Sequence, residues 1–488
     1  MALIFVLWLV MLLAAIALQM AYRGHLRARI TATTGDVTQA YFLARSGVEM
    51  AIADLAENAA SAADQAALRD EGERLYKNIT LGNGAYTLLA GVEGDRATFG
   101  LTDECGKINI NTASAEMLGR LTVMERGIAE AILALREEEE SFADLNALLL
   151  IDGLDLLDLY GEDQNGNGLL DSNEDDGEQS WPPDDGDGVL DGGLAQYLTA
   201  WSSVRDVDTE GEARANLTEA TAEEIVAALP DITQQQADSI VHHRDQNQFS
   251  SILDLLDVKL IEKVKNDGQG GENPEGGNPN RQPGQPAPQN PQGQQSQEQG
   301  QDQQGQESTD ATGGQQGNGG RPGDQGTPEE AADRERDAEA EAKKKEEEGQ
   351  YTIRETGQKA FDEETFRKFA DRITLEEDEV LPGRINVNTA PVEVLACLPE
   401  IDESVALAIV QDRQGRVDGF ETVFDLLEVR GIDNARLKGI LGHISVRSDV
   451  FSVRSFGVLR DGRTVASASA VLDRTEDEVK ILYWREHG

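Results

Sequence analysis

The hydrophobic pattern of the chain is strongest at its start, where residues 1–21 are apolar almost without interruption and carry no charge. A helix rises about 1.5 Å per residue, so this run reaches the roughly 30 Å of a bilayer core. A cleavable secretory signal begins with basic residues and has a shorter apolar run, and no Lys or Arg precedes this one. The run therefore predicts a membrane anchor. Arg23, His25, Arg27 and Arg29 follow it, and the positive-inside rule alone would place the bulk of the chain in the cytoplasm.

Helical periodicity continues beyond the membrane edge. No proline occurs before Pro182, and glycine occurs only singly in this part of the chain. Apolar residues recur at steps of three and four, which is the spacing of one helix face. They are Tyr41, Ala44, Val48, Ala51, Ile52 and Leu55. The pattern predicts one helix from residue 1 to about residue 58, half of it in lipid and half outside.

Strand patterns occur in two distant parts of the chain. Residues 85–92 and 96–101 read as two strands joined by a tight turn, and residues 451–459, 464–472 and 479–484 read as three more. A lone hairpin is marginal in water, whereas five strands packed on the stripe of the long helix would bury a core. The predicted fold class is therefore α+β, a long N-terminal helix on an antiparallel sheet, with a large α-helical insertion between residues 104 and 446.

The insertion contains internal repeats. Residues 108–118 read ININTASAEML, residues 385–395 read INVNTAPVEVL, and residues 215–225 are a weaker copy. Each copy is followed by a helix-like segment that ends near Arg136, Arg244 or Arg413. Asn111-Thr112 and Asn388-Thr389 are predicted N-caps of the helices that follow them. These units resemble helix-hairpin-helix, or SAM-like, modules.

Such modules often bind the DNA backbone through a glycine-rich hairpin with basic neighbours. Here the hairpins at residues 229–233 and 398–403 carry acidic residues instead, and the net charge of the chain is −48. Affinity for phosphate depends on cationic contacts, which carboxylates oppose. We therefore expect no nucleic-acid binding and interpret the repeats as packing units of an α-helical domain.

The sharpest chemical motif lies between the first two repeats. Residues 163–174 match the loop pattern of an EF-hand, with oxygen ligands at loop positions 1, 3, 5, 9 and 12 and a glycine at position 6. The predicted calcium ligands are Asp163, Asn165, Asn167, Leu169, Asp171 and Glu174. Residues 184–191 form a second acidic loop without the full register, with Asp185, Asp187 and Asp191 as candidates. The alternative for either loop is a solvated acidic turn.

Three further features of the sequence concern the cysteines, a central linker and the possibility of an enzyme. The two cysteines, Cys105 and Cys397, either pair or form separate buried thiols. Residues 266–327 are rich in Gln, Gly, Pro and Asn and are predicted to be a disordered linker, which a charged segment continues to residue 349. The sequence contains no recognisable nucleophile with its base, phosphate loop or zinc cluster, so we do not expect an enzyme.

Two stretches resemble a known family. The sequences MALIFVLWLV at the start and QAYFLARSGVEM at residues 39–50 are similar to those of general secretion pathway protein K. This family is a minor pseudopilin of type II secretion with a type IV pilin-like N-terminus. The resemblance implies that Met1 is the mature start, left after prepilin peptidase removes a short basic leader. It also implies that the inserted region binds calcium.

Position 5 departs from the pattern of most pilins. They carry a buried Glu there, thought to neutralise the N-terminal amine of a neighbouring subunit, because an unpaired charge in lipid is costly. Phe5 stands at this position, as the resemblance to protein K implies. A subunit without that carboxylate cannot satisfy such a neighbour, so it fits best at one end of a filament.

The resulting hypothesis is a single-pass inner-membrane protein whose bulk lies in the periplasm and which initiates or caps the tip of a pseudopilus. Implied partners are minor pseudopilins of the I, J and H types, the inner-membrane assembly platform, prepilin peptidase and the membrane itself. Alternative functions are a membrane-tethered DNA receptor and a calcium-dependent adhesion module on a pilus. The predicted ranges are 1–21 for the membrane helix, 22–104 with 446–488 for the pilin-like domain, 105–265 for two repeats, 266–349 for the linker and 350–445 for the third repeat.

Overall fold

A computed structural model describes most of the chain outside its centre. The described residues are 2–58, 72–93, 96–124, 127–165, 170–177, 179–181, 183–184, 186–265, 351–460, 462, 465–476 and 478–487. The chain divides into two units, residues 1–261 with 356–488, and residues 262–355. Most of the second unit, including the predicted linker at 266–349, lies outside the described residues.

The N-terminal helix, α1, runs without interruption over Ala2–Asn58, as the periodicity predicts for these residues. Its first part is exposed, whereas its second part buries one stripe against a sheet. The buried residues of this stripe are Ala40, Leu43, Ala44, Val48, Ala51 and Leu55. Helix and sheet come very close at one point, because a Cβ added to Gly457 would lie 2.0 Å from the carbonyl oxygen of Ala40. A side chain does not fit at position 457 without moving the helix.

The sheet confirms the antiparallel prediction and, within the described residues, has seven strands. The long strands are β2 (Gly84–Glu93), β15 (Val450–Leu459), β16 (Val465–Asp473) and β17 (Lys480–His487), and the short ones are β1 (Ile79–Leu81), β3 (Arg96–Phe99) and β4 (Thr102–Asp103). The order is β1-β2-β15-β16-β17, with β3 paired to β2 and β4 to β15. β1 and β4 were not predicted, since segments of two or three residues carry no detectable alternation. A short helix, α2 (Gly72–Tyr76), precedes β1.

The insertion contains three copies of one unit within the described residues. The first contains α3 (Ala115–Gly119), α4 (Ile128–Glu139), α5 (Leu156–Tyr160) and the 3-10 turns Leu145–Leu150 and Gly193–Gln196. The second contains α6 (Ala222–Ala228), α7 (Gln234–Gln246), α8 (Glu363–Phe369) and the 3-10 turns Ile252–Asp257 and Ala370–Arg372. The third contains α9 (Val392–Leu395), α10 (Glu403–Gln414), α11 (Asn434–Ile440) and the 3-10 turns Val423–Glu428 and Leu441–His443. Their apolar faces share one continuous core.

A pair of very short parallel strands closes each repeat. The pairs are β5 (Ile108–Asn109) with β6 (Leu198–Thr199), β8 (Ala215–Asn216) with β11 (Ile373–Thr374), and β13 (Ile385–Asn386) with β14 (Ile444–Ser445). The acidic loops therefore lie inside the first repeat and the predicted linker inside the second. The last helix and strand of the second repeat lie at 363–374, a range that the sequence assigned to the third repeat.

The remaining elements lie before, between or within these repeats. A 3-10 turn, Glu104–Gly106, leads from the sheet into the first repeat. β7 (Ser203–Arg205) pairs antiparallel with β12 (Val380–Pro382), so the segment before the second repeat joins the segment before the third. Finally, β9 (Lys259–Lys265) pairs with β10 (Tyr351–Lys359) in a two-stranded ribbon.

Candidate functional site

Each repeat begins with an Asn-centred turn. The side-chain oxygens of Asn109, Asn216 and Asn386 accept the backbone N–H two residues later, at 2.9, 2.8 and 3.0 Å. Asn and Asp form such turns because their short side chain replaces one backbone hydrogen bond. The turn directs the chain out of the short parallel strand and into the first helix.

The predicted N-caps are wrong. Asn111 and Asn388 do not cap the following helices, whose N-cap positions are Ser114 and Pro391. The Asn388 amide instead donates to the carbonyls of Phe420 at 2.9 Å and Val446 at 2.8 Å, while its oxygen accepts the Phe420 N–H at 2.8 Å. Asn111 makes the equivalent bonds in the first repeat, with Phe142 and Ala200. These asparagines bridge the start, middle and end of a repeat, which is why both the first and the third copy contain one.

An arginine near the end of the second helix holds the same turn from the other side. In all three repeats one guanidinium nitrogen donates to two carbonyls of the entry segment. Arg136 bonds Ile110 and Ala113, Arg244 bonds Leu217 and Ala220, and Arg413 bonds Val387 and Ala390, at 2.7–3.2 Å. The sequence shows these arginines at equivalent places but not what they contact. Their geometry gives them a structural role inside each repeat, where they join the second helix to the entry segment.

We expect Arg413→Met to destabilise the protein by about 2–3 kcal/mol, because it removes two charge-assisted hydrogen bonds and leaves buried carbonyls without their donor. Urea unfolding of the full chain in detergent, followed by circular dichroism, would measure this loss. The exposed Arg430 provides a matched control as Arg430→Met, for which we expect a change within about 0.5 kcal/mol. Equal effects of the two substitutions would contradict the role that the geometry gives Arg413.

A polar junction joins the sheet to the third repeat, centred on Asp103 at the end of β4. Its Oδ2 accepts from Asn386 Nδ2 at 2.8 Å, Thr389 Oγ1 at 2.5 Å and Ser448 Oγ at 2.6 Å, and its Oδ1 accepts the Cys105 N–H at 2.7 Å. Asp103 is half-buried as a residue, but loss of water around its carboxyl group raises the pKa of that group.

The fully buried Asp449 strengthens the same junction. Its carboxylate accepts the backbone N–H of Arg205 at 2.7 Å and pairs with the guanidinium groups of Arg205 at 3.2 Å and Arg474 at 3.0 Å. Asp449 lies just before β15, so these contacts hold the return point of the chain from the repeats into the sheet. A buried charge of this kind is stable only when paired, as it is here.

The first acidic loop is partly described. Asn165 Nδ2 donates to Asp171 Oδ2 at 3.0 Å and to Glu174 Oε1 at 3.1 Å, so three of the predicted calcium ligands lie together. Asp163 is buried, and its Oδ2 lies 3.5 Å from Arg454 Nη1 on β15. The predicted ligands Asn167 and Leu169 lie outside the described residues.

Electrostatics indicate that this loop carries an excess of negative charge. Glu174 is buried, and its pKa is raised first by loss of water and then by the nearby charges of Asp171, Asp163 and Glu162. A cation among these oxygens would offset that repulsion. No group of three or more Asp, Glu, His or Cys placed to hold a metal ion is found in the part of the chain that the structure describes. The calcium site stays a prediction.

The second acidic loop uses its carboxylates within the protein. Asp184 accepts the backbone N–H groups of Asp176 and Gly177 at 3.0 and 2.7 Å, and Asp187 accepts that of Val189 at 2.7 Å. The Asp191 N–H donates to Glu162 Oε2 at 3.2 Å and so links the second loop to the first. Asp185 lies outside the described residues. These contacts are typical of acidic turns.

The third repeat's hairpin also uses an acid locally. Asp402 is the N-cap of α10 and accepts the Val405 N–H at 3.0 Å and the Ser404 hydroxyl at 2.5 Å. The Ser404 bond first, and then the Val405 bond, lower the pKa of the Asp402 carboxyl group. A helix N-terminus occupied by a carboxylate has less to offer a phosphate.

The cysteines do not pair. Cys105 and Cys397 are both buried and free. Cys397 Sγ donates to the Glu393 carbonyl at 3.1 Å within its own helical turn, and burial raises the pKa of the thiol to about 12. Cys105 Sγ contacts the Ser203 carbonyl at 3.3 Å. The separate-thiol alternative therefore describes this chain.

The N-terminal helix is the membrane candidate. Within the described residues, one helix is long and apolar enough to cross a bilayer, and its most apolar window has a mean hydropathy of 2.7 and none of its surface buried in the protein. Phe5 is 72% exposed on this helix, so none of the residues that the structure describes covers it. Met1 lies outside the described residues.

A long apolar helix whose second half packs on an antiparallel sheet defines a pilin-like α+β protein, here with helix-hairpin-helix repeats inserted between strands. Residues 385–447, which run from β13 to just beyond β14, match the family model of type II secretion system (T2SS), protein K, and residues 103–159 match that of the helix-hairpin-helix motif. The two matches support a protein K-like chain with a helix-hairpin-helix region, and the long apolar N-terminal helix fits a pilin-like N-terminus. No curated protein and no solved structure gave a match.

Proposed function

We propose that the protein sits at the tip of a pseudopilus, anchored by one pass of α1 in the inner membrane with its body in the periplasm. The observation that carries this proposal is the division of α1 into an exposed apolar half and a half packed on the sheet. An exposed apolar helix of this length needs lipid or other helices around it. Other minor pseudopilins of the I, J and H types and the assembly platform supply such helices.

The inserted repeats support the tip position. They contain more residues than the helix and sheet together, so the body is much larger than a minimal pilin-like unit. A subunit inside a filament must be contacted from above and below, and a large insertion obstructs one of these contacts. Phe5 adds a second reason, because it offers no carboxylate to the amine of a neighbouring subunit.

Affinity purification from detergent-solubilised membranes tests the assembly. We expect pilin-like proteins to co-purify with the full chain, and a variant with arginines at Leu9 and Leu13 to lose them together with membrane attachment, because charges in an apolar helix are costly in lipid. Purification of the intact chain without any pilin-like partner would contradict the proposal.

We expect Phe5→Glu to leave the folded body unchanged but to alter the place or copy number of the protein in the filament. The new carboxylate can accept a neighbour's amine, which allows a further subunit to join. Quantitative labelling of isolated filaments would count the copies and locate them, with Phe5→Leu as the apolar control. An unchanged single-copy tip location in the Glu variant would remove the argument from position 5.

We also propose that calcium binds the first acidic loop. Asp163, Asn165, Asp171 and Glu174 are the described residues that would hold it, and oxygen ligands of this kind suit a hard cation. The bound ion would offset the repulsion between Glu174 and its acidic neighbours and would fix the loop within the first repeat. Nothing in the comparisons supports a DNA receptor or an adhesion module.

A further inference from the structure

A basic collar follows the apolar run of α1. It consists of Arg23, His25, Arg27 and Arg29, all exposed, and the exposed Tyr22 stands directly before it. The first 35 residues contain these three arginines and no Asp or Glu, in a chain whose net charge is −48. The collar is therefore strongly positive beside a strongly negative body.

The position of the collar matches the headgroup layer. Residues 2–21 span about 30 Å as a helix, which is the thickness of the hydrocarbon core. Residues 22–29 then cover about 12 Å beyond it, and headgroups occupy roughly the first 5–7 Å of that distance. Side chains on a helix lean toward its N-terminus, so Arg27 and Arg29 reach back toward the bilayer. Tyr22 is a typical residue of this interface.

The collar surrounds the helix. At 100° per residue, Arg23 and Arg27 lie near one another on one side, whereas His25 and Arg29 lie on the opposite side. A single protein partner covers one side of a helix, but lipid headgroups surround it. The arrangement therefore favours lipid phosphates over an acidic protein as the ligand.

The proposed membrane orientation makes the position of the collar energetically unfavourable unless a ligand binds it. With the body outside the cytoplasm, arginines at the exit of the helix oppose the positive-inside rule. An attractive interaction between the arginines and anionic headgroups would offset this cost. It would also hold the acidic body, which anionic lipid repels, at a fixed distance from the membrane.

We propose that Arg23, Arg27 and Arg29 bind the phosphate groups of anionic phospholipids on both sides of the helix, which fixes the depth of α1 in the membrane. This inference rests on the proposed membrane anchor. It concerns lipid selectivity, which the anchor by itself does not require, since an apolar helix inserts into zwitterionic lipid equally well.

The test uses the full chain reconstituted into phosphatidylcholine vesicles, with about a quarter of the lipid replaced by phosphatidylglycerol in the second sample. Spin-labelled phosphatidylglycerol and phosphatidylcholine then report which lipid contacts the protein. We expect the anionic label to be enriched about two- to fivefold at the protein, and the enrichment to fall in 1 M salt, where the Debye length is about 3 Å. The variant R23Q/R27Q/R29Q should insert but lose the enrichment.

The control is Arg45→Gln, which removes an arginine of the same helix that pairs with Glu49 at 3.4 Å outside the collar. It should retain the full enrichment. Insertion without enrichment in the unmodified chain would overturn the inference and leave the anchor intact, as would enrichment that survives in the triple variant. Failure of the unmodified chain to float with either vesicle would refute the anchor, and the inference with it.

Discussion

Calcium is expected to raise the thermal stability of the protein, and magnesium to raise it less. A ligand that binds only the folded state stabilises it by RT ln(1 + [L]/Kd), which is about 2.7 kcal/mol at a hundredfold excess over Kd. Several negative groups surround Glu174, and a cation would replace their repulsion with attraction. Magnesium demands a smaller octahedral shell and keeps its water more strongly, so it suits a flexible loop less well.

Scanning calorimetry of the full chain in detergent, with calcium, magnesium or chelator, measures the effect. Glu174→Gln should abolish most of the calcium shift. The same substitution should raise the melting temperature in chelator, because it removes the carboxyl group whose pKa is raised first by burial and then by the neighbouring carboxylates. Asp191→Asn in the second loop is the matched control and should retain most of the shift. Identical melting temperatures of the unmodified chain in all three conditions would mean that residues 163–174 are an acidic turn.

Asp103→Ala is expected to be among the most destabilising single substitutions, at about 3–5 kcal/mol. It would leave the donors of Asn386, Thr389, Ser448 and the Cys105 backbone without their acceptor inside the protein. Urea unfolding of the full chain would measure the loss. Glu116→Ala on the exposed face of α3 is a control, since its ion pair with Arg120 is largely solvated. A loss below about 1 kcal/mol for Asp103→Ala would show that the junction contributes little.

The Asp103 carboxyl group also makes the stability of the protein depend on pH, in a direction that its raised pKa determines. Its pKa in the folded protein is raised above the unfolded value of about 3.9, so the folded state binds this proton more tightly. The contribution of this carboxyl group to the free energy of unfolding is fully present at pH values below about 3.9. It is lost as the pH rises through the pKa that the group has in the folded protein. The stability of the unmodified chain minus that of Asp103→Asn should therefore increase as the pH falls from neutral toward about 4. A flat difference would contradict the assignment, because the other carboxyl groups are common to both proteins.

Much of the fold is determined by local sequence pattern. The three- and four-residue spacing that includes Ala44, Val48 and Leu55 is sufficient to predict an unbroken helix through this region, since no proline interrupts it. Alternation predicts the long strands β2, β15, β16 and β17. The near-identical sequence segments at 108–118 and 385–395 identify the repeats when the chain is compared with itself. These features depend on neighbours within a few residues, which is the information that a sequence displays directly.

Other features depend on contacts between residues that are distant in sequence, so only the tertiary structure shows them. Asn388 lies just before a helix and so reads as an N-cap, but its partners Phe420 and Val446 are 32 and 58 residues away. β8 pairs with β11 across the predicted linker, and two-residue strands show no alternation that would reveal the pairing. Asp103 reads as one acid among 91 Asp and Glu residues until Asn386, Thr389 and Ser448 are brought around it. Sequence determined the elements and their repetition because these are local, whereas the buried polar contacts that join them arise only when the chain has folded.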